Sequence, residues 1–120
     1  MKSIVYSKNR LLTGIAFLFI TISISSGCKK TMNDGVPGIN EVWIQDKAFN
    51  PNYISISSGT TITWTNKEGV AHTVTGNDGL PFDSGSIATN GTWSHTFSSV
   101  GIFPYHCTIH LSMVATVEVH

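Results

Sequence analysis

Short stretches of alternating apolar and polar residues recur from residue 41 onward. Ile62 and Trp64 alternate with threonines, and Phe103 and Cys107 fall on one face of a later stretch. A two-residue period places such side chains on one side of a strand. Gly, Asn and Pro residues separate the stretches, and none has a helical period longer than a turn or two. The pattern predicts an all-β, antiparallel sandwich of seven or eight strands.

The first residues have the composition of an export signal. Three basic residues and no acidic ones precede an apolar stretch at 11–24, which is short for a membrane span, and three small residues at 25–27 follow. We therefore predict a signal peptide over 1–27 and export to the periplasm or cell envelope. The position of Cys28 resembles the lipobox of bacterial lipoproteins, which implies a lipid anchor. The alternative is an ordinary signal cut nearby that leaves Cys28 as a spare thiol.

The part of the chain after the signal divides into two regions. Residues 28–40 contain Gly and Pro without hydrophobic periodicity, which predicts a flexible tether, and residues 41–120 form the predicted domain. From Cys28 on, four lysines face seven acidic residues, a net charge of −3. Since no basic stripe is present, we expect no nucleic-acid partner, and we expect a monomer.

The residues that carry chemistry are concentrated in a C-x-x-H-x-x-M motif formed by Cys107, His110 and Met113. His72, on a predicted earlier strand, offers a second imidazole. Two histidines and a cysteine in a trigonal plane, with a weak axial methionine, form a blue-copper site. The sequence therefore predicts one copper ion, with Met113 as the weakest ligand. Zinc is the alternative metal, but it rarely uses a thioether.

The remaining histidines do not fit this set. His95 is expected to be structural, His106 faces away from Cys107 by strand alternation, and His120 is the terminal residue. No Ser/His/Asp or paired-carboxylate arrangement stands out, so we do not expect an enzyme.

Residues 41–119 resemble a small cupredoxin of the plastocyanin group, and the ligand loop is most similar to that of amicyanins. The resemblance rests on the C-x-x-H-x-x-M motif, on Trp64-Thr65-Asn66 and on Phe82-Asp83-Ser84-Gly85. It implies a Greek-key sandwich and a type 1 copper that cycles between Cu(I) and Cu(II) to carry single electrons. It implies transient docking to a cytochrome, an oxidase or a dehydrogenase. His110 and Leu111 would form the electron port.

Two positions depart from the pattern of that family. Thr73 stands where an asparagine commonly ties the two ligand segments together, so we expect a weaker tie or one made by Asn66. Ile109 stands where proline is frequent, and its N–H is predicted to donate to the Cys107 sulfur. This bond would give a higher reduction potential than in an Ile109→Pro variant. A copper-storage or delivery protein and a metal-free β-sandwich binding module remain alternatives.

Overall fold

The computed structural model describes residues 35–120, which contain eight strands. They are β1 (Glu41–Gln45), β2 (Ala48–Asn50), β3 (Tyr53–Ile56), β4 (Thr60–Asn66), β5 (Thr75–Gly76), β6 (Thr92–Phe97), β7 (Gly101–His106) and β8 (Val114–Val119). One sheet has the order β2-β1-β4-β6 and the other β3-β8-β7-β5. This arrangement confirms the predicted all-β sandwich and the number of strands.

Both sheets are mixed rather than purely antiparallel. β1 runs parallel to β4, and β3 runs parallel to β8, whereas the other neighbours are antiparallel. The alternation of apolar residues reveals which side chains face inward, but it carries no information about the direction of a neighbouring strand. The prediction of two packed sheets was therefore confirmed, but the two parallel strand pairs were not foreseen.

Trp64 and Tyr105 join the two sheets at the centre of the core. Both side chains are buried, and the Trp64 Nε1–H donates to the Tyr105 hydroxyl at 3.1 Å. Their ring centroids are 5.6 Å apart with an interplanar angle of 88°. Because Trp64 is on β4 and Tyr105 is on β7, this contact fixes the two strands that precede His72 and Cys107.

The strand ends define where a site can form. β4 ends at Asn66 and β7 ends at His106, and the segments that follow both strands meet at one end of the sandwich. Apart from a 3₁₀ turn at Asn77–Gly79, residues 35–120 contain no helix. This part of the chain therefore has no helix that is long and apolar enough to cross a membrane. The predicted signal peptide, Cys28 and the first part of the tether lie outside the described residues.

Candidate metal centre

Three potential ligand atoms converge at this end of the sandwich. The Cys107 Sγ lies 3.8 Å from the His72 Nδ1 and 3.9 Å from the His110 Nδ1, and the two nitrogens are 3.2 Å apart. In a trigonal plane, bonds of about 2.1 Å to nitrogen and about 2.3 Å to sulfur place such atoms roughly 3–4 Å apart. The arrangement is therefore wide enough for one transition-metal ion.

His72 reaches the site from an irregular segment rather than from the predicted strand. It forms an isolated antiparallel bridge with Ile87, whose backbone N–H donates to the His72 carbonyl at 2.8 Å. The side chain is fully buried. The Asn66 amide also holds this stretch, since it donates to the carbonyls of Val70 and Ile87 at 2.8 and 2.9 Å.

The second ring nitrogen of His72 faces a carboxylate. Its Nε2 is buried without a hydrogen-bond partner, and the Glu68 Oε1 lies 3.7 Å away, beyond hydrogen-bond length but close enough for charge attraction. Burial lowers the pKa of His72, and the nearby His110 lowers it further, whereas the Glu68 carboxylate acts in the opposite direction. A neutral His72 with its proton on Nε2 leaves Nδ1 free for a metal.

The loop at residues 107–113 is closed by its own backbone. The Cys107 N–H donates to the Met113 carbonyl at 3.1 Å, and the Met113 N–H donates to the His110 carbonyl at 3.0 Å. The Cys107 and Met113 side chains are buried, whereas His110 is only partly buried. The short loop thus holds the thiol and the imidazole close together, and it ends at the buried Met113.

Thr73 ties the two ligand segments together. Its Oγ1 accepts a hydrogen bond from the Thr108 N–H at 2.8 Å, and its own N–H donates to the Cys107 Sγ at 3.4 Å. Asn66 instead orders the turn that leads to His72, and its Oδ1 accepts from the Glu68 N–H at 2.9 Å. The expected tie through Asn66 was therefore wrong, because the threonine hydroxyl reaches the second segment itself.

The hydrogen bond predicted from Ile109 to the thiolate is not formed. The two N–H groups that donate to the Cys107 Sγ belong to Thr73 and His110, each at 3.4 Å. The loop turns back on itself over three residues, so it aims the N–H of the third residue, His110, at the sulfur. The Ile109 side chain is half exposed. The proposed reason for a higher potential than in an Ile109→Pro variant therefore disappears.

The other three histidines lie away from these atoms. His95 stacks between Phe82 and Trp93, with centroid distances of 5.2 and 5.6 Å, and burial lowers its pKa. The His106 Nδ1 is 2.5 Å from the Asn77 Oδ1. The His120 Nδ1 lies 3.4 Å from the Ser55 hydroxyl. Among the described residues, only His72, Cys107 and His110 form a group of potential ligands drawn from His, Cys, Asp and Glu.

Two residues near the site were missed by the sequence analysis. Glu68 precedes His72 by four residues. An acidic residue so close in sequence to a predicted histidine ligand could have indicated a carboxylate behind that imidazole. Thr108 follows the cysteine directly, but nothing in its position shows that its N–H would reach Thr73.

Comparison with known proteins agrees with this geometry. Residues 40–120 match the sequence profile of the copper binding proteins of the plastocyanin/azurin family. The chain belongs to this family. Copper is thus its cofactor, as predicted, and membership in a copper-binding family argues against zinc and against a metal-free module.

Individual relatives also match most of this chain. Amicyanin-alpha of Methylorubrum extorquens is 28% identical over 109 residues, which are 88% of this chain and 92% of that protein. A Cu(I) form of an amicyanin mutant has a TM-score of 0.64 at 27% identity and covers 74% of this chain and 86% of its own. A purple cupredoxin from Nitrosopumilus maritimus has a TM-score of 0.62 at 27% identity, covering 67% and 98%. The predicted cupredoxin resemblance is confirmed.

Proposed function

We propose that His72, Cys107, His110 and Met113 hold one copper ion and that the domain carries single electrons between redox proteins of the bacterial cell envelope. The observation that carries this proposal is the close approach of one sulfur and two nitrogens, all 3.2–3.9 Å apart, beside the buried Met113. The proposed role is that of a carrier and not of an enzyme.

The residues around the site suit a centre that changes charge without changing shape. When bound, copper supplies a one-electron couple between Cu(I) and Cu(II). A thiolate and a thioether suit Cu(I), whereas imidazoles suit both states. The hydrogen bonds from the Thr73 and His110 N–H groups spread the negative charge of the Cys107 sulfur, and the Thr73–Thr108 bond holds the two segments in place. Ligands that stay fixed in both states favour rapid electron exchange.

His110 is the proposed electron port, together with Leu111. His110 is partly exposed, and the side chains of Ile109 and Leu111 next to it are 50% and 72% exposed. Val70, on the segment before His72, is 47% exposed. A small apolar surface of this kind supports brief, weak contact with a cytochrome, an oxidase or a dehydrogenase.

The location rests on the sequence. The signal over 1–27 and the lipobox-like position of Cys28 support export and attachment to a membrane by a lipid. Intact-mass measurement of the protein from a bacterial membrane fraction tests this proposal. A mass increase that disappears in a Cys28→Ala variant supports the anchor, and an unmodified Cys28 contradicts it.

Visible and electron paramagnetic resonance spectra after copper addition test the proposed centre. An intense blue or purple colour with a narrow copper hyperfine splitting supports a Cys107-bound electron carrier. Cys107→Ser should abolish the colour, whereas His95→Gln, which changes a histidine outside the site, should retain it. Colourless binding of Cu(I) alone would instead favour storage or delivery. The single methionine of the domain speaks against a storage site rich in methionine.

The proposed docking surface has a separate test. Leu111→Asp should slow electron exchange with a redox partner about tenfold or more and leave the visible spectrum unchanged, because it adds a charge that must be desolvated on docking. Val100→Asp is the matched control, since Val100 is also 72% exposed but lies next to the start of β7, away from the ligands. Equal rates for both variants would contradict this surface.

A further inference from the structure

The two ends of the sandwich can be assigned from the strand directions. His72 follows β4 and Cys107 follows β7, so the ends of these strands mark the metal end. β1 runs parallel to β4, which places its first residue, Glu41, toward the opposite end. The start of β7, Gly101, lies there too and pairs with Val119. We call this the N-terminal end and define it by residues 35–41, 57–60, 98–102 and 118–120.

Charged residues are distributed unevenly between the two ends. At the metal end, the charged residues Asp46 and Lys47 follow β1, and Lys67 and Glu68 follow β4. Asp83 also lies at this end, where its backbone forms a bridge with Thr75. In the described part of the N-terminal end, the charged side chains are Glu41 and Glu118. Few charges would therefore lose water if this end were covered.

The N-terminal end, like the metal end, exposes large apolar side chains, but here few charged side chains accompany them. The exposed fractions are 60% for Val36, 91% for Ile39, 72% for Val100 and 60% for Ile102. Val36 and Ile39 also line an open groove that continues to Ile54 on β3. The residues between them are mainly serine and glycine, at 57–59 and 98–99. Exposed apolar side chains that line one end of a domain are candidates for an interaction surface.

We propose that the N-terminal end rests on the surface of a lipid bilayer and that the metal end faces away from it. This inference rests on the lipid anchor proposed at Cys28. Gly35 is seven residues after Cys28, and seven residues span at most about 25 Å. Because so short a segment would join the lipid to the domain at this end, the proposed contact is made by the N-terminal end, where valine and isoleucine side chains gain free energy by entering the interface.

A second copy of the chain is the competing occupant of this surface. A specific interface between copies commonly buries about 800 Å² on each side. Four apolar side chains separated by small polar residues form a weak basis for such an interface, whereas a bilayer needs no shape complementarity. The short connection to the anchor enters at this end and favours the bilayer.

Quenching by brominated lipids tests the orientation. The full-length, processed protein is placed in phosphatidylcholine vesicles with and without bromine on the acyl chains, and tryptophan is introduced by Ile39→Trp, Val100→Trp or Leu111→Trp. The emission added by the first two substitutions should fall by about half, because side chains at the interface lie about 5–10 Å into the headgroup boundary. The emission added by Leu111→Trp, at the metal end, should not change.

Each other outcome contradicts a stated part of the proposal. Equal or stronger quenching of the Leu111→Trp variant would overturn the orientation. If the protein floats with the vesicles and no variant is quenched, the anchor stands and the surface contact is wrong. Failure to float, with an unmodified Cys28, would overturn the anchor and this inference together. A detergent-solubilised dimer that Ile39→Asp converts to a monomer would assign the surface to a second copy.

Discussion

The two segments that meet at the proposed copper site are held in different ways. Residues 66–74 bring a fully buried His72, which is fixed by the bridge to Ile87 and faces Glu68 on its far side. Residues 107–113 form a loop closed by its own backbone, and its His110 remains partly exposed. The first segment therefore encloses its histidine, whereas the second leaves its histidine accessible from solvent. The difference indicates that residues 66–74 fix the position of one ligand and that residues 107–113 provide the route for the electron.

The largest expected effect comes from removing one imidazole from each segment. His110→Gly and His72→Gly should both abolish the native visible spectrum. Added imidazole should restore a coloured site in His110→Gly, because the gap opens to solvent, and much less in His72→Gly, because that gap is enclosed. Titration with imidazole followed by absorbance measures the contrast. Equal rescue of the two variants would contradict the contrast between an enclosed His72 and an accessible His110.

The tie between the segments is expected to have the next largest effect. Thr73→Val removes the acceptor of the Thr108 N–H, so the metal-free protein should lose about 1–3 kcal/mol of unfolding free energy. Thr73→Ser retains the hydroxyl and should lose less. Urea unfolding of the two variants makes the comparison. No difference between Val and Ser would show that the hydroxyl does not hold the segments together.

Glu68 tests how the buried histidine is oriented. Glu68→Gln removes the negative charge 3.7 Å from the His72 Nε2, and copper affinity should fall about tenfold, the lower end of the range for groups behind a ligand. Asp83→Asn removes a negative charge elsewhere at the metal end and serves as the control. Competition with a copper chelator measures both affinities. An equal decrease in copper affinity in the control would show that the overall negative charge, and not the contact between Glu68 and His72, causes the effect.

Acid should destabilise the metal-free protein. Burial lowers the pKa of His72 and of His95 below the ordinary value of about 6.5. As pH falls below about 6.5, the unfolded chain binds protons that the folded chain does not, so stability falls by at most about 1.4 kcal/mol per pH unit for each histidine. The loss continues until pH passes the lowered pKa values. His95→Gln should reduce the slope and leave the part due to His72, as measured by unfolding at several pH values.

The smallest expected effect is that of Ile109→Pro. Because the Ile109 N–H does not bond to the Cys107 sulfur, its loss should shift the reduction potential by less than about 60 mV, the equivalent of a tenfold change for one electron. Cyclic voltammetry of both forms measures the shift. A decrease larger than this would show that the loop N–H groups rearrange toward the sulfur when copper binds.

Much of the fold and of the proposed ligand set could be predicted from the sequence. The alternation of apolar residues assigned Phe103, Tyr105 and Cys107 to one side of β7 and of the residue that follows it, and the latter two are buried. The thiol, imidazole and thioether within seven residues restricted the chemistry of the loop. Side-chain type and a two-residue period are local properties, and for that reason a sequence shows them directly.

What the sequence alone determined was the kind of donor atom and the face on which it lies. Only the tertiary structure decided that β1 and β4 are parallel, that Thr73 and not Asn66 ties the segments, and that the Thr73 and His110 N–H groups point at the sulfur. These features depend on where the backbone of one segment lies relative to another distant in sequence. A hydrogen bond tolerates only tenths of an ångström in length and a narrow range of angles, so it follows from the packing of the two sheets.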